Sequence, residues 1–335
     1  MTTAQPLPGT GVLLVNTGTP AAPRAREVRQ FLRPFLSDPR VVELPRLLWL
    51  PLLNAIILPL RAPRSARNYQ RIWQDGGSPL AVYGAQLCAA LQSALQQRAP
   101  AHYQVRLANL YSQPGVARAL SEFSASGITR LVILPLYPQY SGTTTGAVFD
   151  QVSQALRGQR RIPELHFVAH YCKDPAYITA LANSVRDHWR TQPRAPHLLM
   201  SFHGIPERCA QLGDPYGEQC RTTAARLAAE LGLAPGSWSL SFQSRFGKAK
   251  WLEPATDLTL QRLAREGQRS LDVICPGFAV DCLETLEEIA IGGREIFRRA
   301  GGEACQYIGC LNARDDHATA LAAVVMRAAG DMGGH

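Results

Sequence analysis

Short apolar, β-branched runs that alternate with helix-like stretches constrain this chain more than any other feature. Residues 11–16 (GVLLVN) read as a buried strand ending in the turn Thr17-Gly18-Thr19-Pro20. Residues 105–110 and 131–136 read the same way, and 165–169 form a fourth candidate. Between the first two, residues 81–97 are helical by spacing, with apolar side chains at 80, 83, 87, 91 and 95. The pattern then restarts. Residues 198–202, 239–242, 271–275 and 306–308 are strand-like, and 175–191, 216–231, 257–266 and 283–300 helical. Strands that alternate with helices build parallel sheets covered on both faces, through right-handed crossovers. The expected fold is therefore α/β, with two similar lobes of about four parallel strands each, residues 1–165 and 166–335. No sequence repeat relates the two halves.

Length and composition agree with this division. A chain of 335 residues, 46% hydrophobic and 18% charged, can fill two ordinary interiors and is not disordered. Its net charge of +9 is carried by arginine, the only lysines being Lys173, Lys248 and Lys250. Such a surface suits carboxylates, phosphates or an anionic membrane face. No dense basic run, helix-turn-helix or finger spacing occurs, so nucleic acid is not an expected partner. Residues 1–8 lack a basic stretch followed by an apolar one, and no secretory leader is expected. Eight cysteines without a C-x-x-C pair read as small buried hydrophobes in a reducing cytoplasm. The most apolar segment, 44–60, is broken by Pro45, Pro51 and Pro59 and falls short of the roughly 20 residues of a spanning helix. It is either a buried helix or an exposed apolar lip at a membrane, with Arg61, Arg64, Arg67 and Arg71 beside it.

In open α/β sheets, ligands sit beyond the carboxyl ends of the strands. His203 stands there, in MSFHGIP at 200–206, placed as a general base whose ordinary pKa lies near neutrality. A hydrogen-bonded structural histidine is the bland alternative. After the strand at 271–275 comes PGFAVDCLETLEE. In it Asp281 is a candidate helix N-cap, and Glu284 fits a capping box. Glu284 and Glu288 are four apart on one helix face, which is either a solvated acidic face or a path for a cation. Carboxylates plus one imidazole suit transient ferrous iron, with Cys282 as a possible soft ligand. The segment YPQYSGTTTG at 137–146 resembles a phosphate cradle but lacks the spacing and lysine of a nucleotide loop. Its tyrosines and hydroxyls better fit a flat aromatic ligand with polar edges.

Taken together, these segments resemble the ferrochelatase family over nearly the whole chain. The residues that carry the resemblance are LLVNTGTP at 13–20, YQRIWQDGGSPL at 69–80, YPQYSGTTTG at 137–146, SFHGIP at 201–206 and GDPY at 213–216. FQSRFG at 242–247, Trp251-Leu252 and DCLETLEE at 281–288 complete it. Any one of these is weak, and eight in order are strong. The resemblance implies two Rossmann-like lobes without a nucleotide and a porphyrin held in the interlobe cleft. It implies insertion of ferrous iron into protoporphyrin IX to give protohaem and two protons, with no organic cofactor and Fe²⁺ as a substrate. His203 matches the histidine assigned to pyrrole deprotonation or metal contact, and Glu284 its acidic partner on the opposite wall. Glu288 extends an acidic path, so His203, Glu284 and Glu288 form the expected metal-contacting set. Thr17, Tyr137, Ser141, Phe278, Asp281 and Cys282 are expected to frame the porphyrin, and Arg71 to meet its carboxylates. Residues 44–60 match the apolar lip, so peripheral contact with the inner membrane face is expected of a cytoplasmic monomer or homodimer.

Departures qualify the match. Leu110-Tyr111 replaces the arginine–tyrosine pair of many members, Cys282 stands where some carry histidine, and Thr17 where others have Met, Leu or Tyr. Gly142 occupies the place of a cluster-ligating cysteine in animal members, and their C-terminal cysteine extension is absent. An animal-type [2Fe–2S] cluster is therefore not expected. A different cluster drawn from Cys172, Cys209, Cys220, Cys305 or Cys310 is the lesser alternative. For function, the alternatives are a chelatase for coproporphyrin or cobalt, and a porphyrin or haem carrier without catalysis.

Overall fold

The computed structural model describes residues 9–99, 103–247 and 249–331; the expectation for residues 1–8 lies outside them. Eight strands form two parallel sheets. β1 (Thr10–Asn16), β2 (Tyr103–Asn109), β3 (Arg130–Pro135) and β4 (Glu164–Phe167) are ordered β2-β1-β3-β4. β5 (Leu198–His203), β6 (Trp238–Gln243), β7 (Ser270–Ile274) and β8 (Ala304–Ile308) repeat that order as β6-β5-β7-β8. Each strand lies within a few residues of its sequence expectation. Every residue of β1 is buried, as a strand covered on both faces requires.

The period-2 alternation of side chains sorts the interior into layers. Val12, Leu14, Val132 and Leu134 face the same core as Leu198, Met200 and Phe202 of the second sheet. That core is filled by helices Pro79–Arg98, Pro175–Thr191, Tyr216–Glu230 and Asp315–Ala328. Leu13, Val15, Leu131 and Ile133 face the other way, onto helices Ala25–Ser37, Leu58–Ile72, Val116–Ala125 and Ala147–Leu156. Leu199, Leu271 and Val273 pack on Thr256–Arg265 and Arg294–Arg299. The lobes thus share one helical middle layer. The last helix, Asp315–Ala328, packs on Pro79–Arg98, and beyond it Asp331 pairs with Arg130 of β3 at 3.3 Å. The second half of the chain therefore returns to brace the first.

Both sheets change winding direction between their first and third strands, β1 and β3 in one and β5 and β7 in the other. Such switch points open the crevice that α/β proteins use for ligands. After β1 the chain turns through Gly18 at φ +96°, where an added Cβ would lie 2.4 Å from Ser112 Oγ. Only glycine fits that turn.

The lip is helical and exposed at once. Arg46–Leu52, a π-helical turn Leu53–Ile57 and Leu58–Ile72 run on without a break. Leu53, Leu58, Ala62, Ala66, Tyr69 and Ile72 bury one face, while Leu47 is 91% and Leu48 and Leu60 are each 73% exposed. Pro51, Pro59 and Pro63 remove three helical donors, and the wider turn lies between the first two of them. No helix among the described residues is long and apolar enough to cross a membrane.

Candidate active site

His203 is the last residue of β5, half-buried at the switch point of the second sheet. Its Nδ1 lies 2.6 Å from the Gly204 carbonyl oxygen. A carbonyl only accepts, so Nδ1 donates to it, and in the neutral imidazole the lone pair is on Nε2. Nε2 has no hydrogen-bond partner among the described residues. Gly204 makes this corner possible, because a Cβ there would lie 2.8 Å from the Gln243 main-chain oxygen and 3.1 Å from Trp251. Phe278, on the turn after β7, faces the imidazole with ring centroids 6.4 Å apart.

Glu284 opens the segment Glu284–Gly293, which is π-helical over its whole length and belongs to the same lobe as His203, so the expectation of an opposite wall is corrected. Such i→i+5 segments are rare and concentrate at functional sites. The capping-box expectation is corrected here. Asp281 is not an N-cap but a buried acceptor, taking hydrogen bonds from Tyr307 Oη (2.6 Å), Asn312 Nδ2 (2.8 Å) and Thr285 Oγ1 (2.9 Å). Tyr307 and Asn312 bring donors from elsewhere in the lobe, and with Thr285 Oγ1 of the π-helix they outbid the helix's own N–H groups for this carboxylate. Asp281 therefore stands behind the wall and fixes it.

The carboxylates of the π-helix diverge. Glu288 Oε1 accepts from Ser244 N at 2.6 Å and Oε2 from Ser244 Oγ at 2.5 Å, with Ser244 held at φ +65°. Burial pushes the Glu288 carboxyl above its ordinary range; the Ser244 bonds and nearby His203 oppose this, and Glu284 adds to it. A cavity of about 520 Å³ opens beside Glu288, lined by Gln243, Ser244, Phe246, Trp251 and Asp257. Gln243 holds the start of the π-helix, donating from Nε2 to the Glu284 carbonyl at 2.7 Å. Its Oε1 accepts from Ser201 Oγ at 2.7 Å, two residues before His203.

Across the cleft stand Thr17, Tyr137, Tyr69 and Arg61. Thr17 Oγ1 and Tyr137 Oη are 2.6 Å apart. Burial raises both tyrosine hydroxyls above their ordinary range, and the Glu284 and Cys282 side chains raise them further. Burial lowers Arg61, while Glu284 and Tyr69 pull it back up. Arg61 has no carboxylate within 4 Å among the described residues, and its guanidinium lies 5.3 Å from the Phe246 ring centroid. Its charge lies near Glu284 and Tyr69, whereas sequence reasoning noted it only as a lip residue.

Several expected contacts are placed elsewhere. Arg71 is taken by Glu287 (2.8 Å) and Glu295 (3.3 Å), so its charge is already neutralised. Ser141 is buried and donates to Asp214 Oδ2 at 2.9 Å, and Gly142 N donates to the same oxygen at 2.8 Å. The phosphate-like cradle of 137–146 thus holds the protein's own carboxylate, from the GDPY segment. Cys282 is buried and its thiol is pushed well above its ordinary value by burial and then by Glu284, so it stays protonated near neutrality. Leu110 is buried in the core. All eight cysteines are free thiols. No three His, Cys, Asp or Glu side chains among the described residues stand close enough to hold a metal ion. Neither His203, Glu284 and Glu288 nor the five thiols named above form a ready-made ligand set.

Comparison with known proteins bears on the family and the fold. The family model described as Ferrochelatase matches residues 9–329. The chain is 51% identical to the ferrochelatase of Aeromonas hydrophila, covering 95% of this chain and 98% of that one. It is 50% identical to ferrochelatase 1 of Shewanella oneidensis, with 96% of each covered. Among solved structures it resembles SirB from Bacillus subtilis with Fe³⁺, at a TM-score of 0.56 and 10% identity over 96% of each chain. That last likeness is one of fold.

Proposed function

The chain belongs to the ferrochelatase family, and from that membership we propose how its cleft inserts ferrous iron into a porphyrin for haem synthesis. The reaction exchanges two pyrrole protons for one Fe²⁺, so the protein must hold the ring, accept protons and present the metal. His203 Nε2 is the proton acceptor, because the Gly204 carbonyl fixes the tautomer that leaves its lone pair free. Glu284 presents the metal from the π-helix, and Glu288 with the cavity beside it connects that point to solvent. Among the described residues no ligand set is preassembled, which suits a metal that must be released into the product. Holding the ring out of plane would expose its nitrogens, with the strain drawn from contacts to the ring's periphery.

Arg61 is the partner for a porphyrin carboxylate, since it faces the cleft and lacks an ion pair. The exposed apolar lip favours protoporphyrin over porphyrins with four carboxylates, which would need more cations around the ring. Thr17, Tyr137 and Phe278 line the ring's faces. The lip leucines, with Arg64 and Arg67, favour work at the inner face of a membrane. No organic cofactor enters this scheme.

The observation that carries the reading is the free Nε2 of His203 at the switch point of the second sheet. The test is anaerobic insertion of Fe²⁺ into protoporphyrin, followed by absorbance, with wild type beside His203→Ala and Glu284→Gln. We expect each variant to lose about 10²-fold or more in kcat with its circular dichroism unchanged. Tight porphyrin binding without wild-type turnover would convert the protein to a carrier. A preference for coproporphyrin would overturn the substrate assignment alone.

A further inference from the structure

Glu287 lies three residues beyond Glu284, yet its carboxylate serves the other lobe. Oε1 accepts from Arg71 Nη1 at 2.8 Å, and Oε2 accepts from Asn68 Nδ2 at 3.2 Å. Arg71 Nη2 also reaches Glu295 Oε1 at 3.3 Å. Asn68 and Arg71 belong to Leu58–Ile72, the helix that carries Arg61 and Tyr69 on the opposite wall. One polar bridge therefore ties the lip helix to the π-helix that presents Glu284.

The partly exposed Arg130–Asp331 pair lies at the N-terminal end of β3, away from the crevice, and three other contacts between these halves differ in kind. Gln139 donates to Thr223 at 2.9 Å, Tyr140 N to Gln219 at 2.8 Å, and Ser141 to Asp214. Gln139, Ser141 and Thr223 are each about fully buried. Buried hydrogen bonds of this sort cannot part without orphaning their partners. The bridge, by contrast, joins Glu287, 14% exposed, to Arg71, 45% exposed and shared with Glu295 at 52%, so water can take over the arginine's charge when it opens.

We propose that Glu287 is a positioning residue, and that its bridge to Arg71 and Asn68 is the interlobe contact that closes the cleft around the porphyrin and breaks when the product leaves. The bridge sets the separation between the His203–Glu284 wall and the Arg61–Tyr69 wall. This rests on the assignment of those residues as the two walls.

The test measures dissociation of bound porphyrin and of haem by stopped flow, with a haem-scavenging apoprotein in excess. Dissociation requires no catalysis, so its outcome is separate from the fate of the His203 and Glu284 assignments. Glu287→Gln and Arg71→Gln should each speed release about two- to five-fold, the range open to a partly exposed ion pair. The double variant should be no faster than the singles, as expected of two halves of one contact. Wild-type release should quicken between about 50 mM and about 500 mM salt, while the variants stay flat. Arg71→Lys, which keeps the charge but not the fork, should fall between wild type and Arg71→Gln. Unchanged release in a folded Glu287→Gln protein, or additive effects in the double variant, would overturn the proposal.

Discussion

Thr17 Oγ1 and Tyr137 Oη meet at 2.6 Å across the point where the first sheet reverses its winding, and His203 ends the corresponding strand of the second sheet. The two lobes thus bring matching corners to one cleft. The N-terminal corner offers paired hydroxyls, and the C-terminal corner an imidazole and a carboxylate. One architecture repeated with different side chains makes two unlike walls.

The hydroxyl pair should behave as a coupled unit. Tyr137→Phe leaves the Thr17 hydroxyl free to turn elsewhere and should cost about 1 kcal/mol. Thr17→Val orphans the more deeply set phenol and should cost about 1–3 kcal/mol. Because each single change breaks the same bond, the double variant should cost about 1 kcal/mol less than the sum. Urea unfolding of the four proteins measures this. Additivity to within about 0.3 kcal/mol would show that the two hydroxyls do not stabilise one another.

Glu288 trades stability for its position. Its carboxyl is raised above the ordinary value in the folded protein, burial being the largest cause. The folded state therefore holds the proton more tightly than the unfolded chain does. The contribution to stability is full below the unfolded pKa and is lost as pH rises through the folded one. Above that window the buried charge is a cost. Glu288→Gln removes the charge while keeping an acceptor for Ser244 N–H and offering a donor to Ser244 Oγ. The variant should melt higher than wild type at pH 7.5, and the difference should vanish near pH 4. A lower melting temperature at pH 7.5 would show that the Ser244 bonds outweigh burial.

His317 sets an acid limit on the fold. It is fully buried, with Nδ1 2.7 Å from the Asn312 carbonyl and Nε2 without a partner. Burial lowers its pKa from 6.5 to about 4. The unfolded chain takes up the proton first, so this stability is present above pH 6.5 and is lost as pH falls toward 4. The depression corresponds to about 3 kcal/mol. His317→Gln keeps a donor for Asn312 but cannot titrate, and its acid destabilisation between pH 6.5 and 4 should be smaller by that amount. Equal slopes for the two proteins in urea titrations across this range would contradict the assignment.

The central strands β1, β3, β5 and β7 were legible because they are buried on both faces and so read as apolar runs, whereas the edge strand β4, exposed or half-buried throughout, gives a weaker pattern. The helices Ala25–Ser37 and Ala147–Leu156 escaped, although Val28, Phe31, Leu32 and Leu36 carry helical spacing. Pro34, inside the first of these, masks the signal. His203 was readable from its strand end, but Arg61 was not. Which arginine of Leu58–Ile72 faces the cleft depends on three prolines and a π-helical turn, and local sequence does not encode that rotation. Asp281 misled for a related reason. An acid before a helix reads as a cap, but its partners Tyr307 and Asn312 arrive from beyond β7, where no local pattern announces them.

The lip carries the last prediction. Leu47, Leu48 and Leu60 make few contacts to lose, so Leu47→Ser with Leu48→Ser should change unfolding free energy by no more than about 0.5 kcal/mol. Against anionic vesicles the same leucines have apolar surface to bury, worth up to about 2 kcal/mol each. Arg64 and Arg67 add about 1 kcal/mol each near such a surface. The double leucine variant should therefore bind vesicles at least about tenfold more weakly in co-sedimentation, and what binding remains should fall with salt. If the variant binds vesicles as well as wild type, the lip is not a membrane contact. If wild type sediments as a dimer and the variant as a monomer, the leucines cover one another between two copies of the chain.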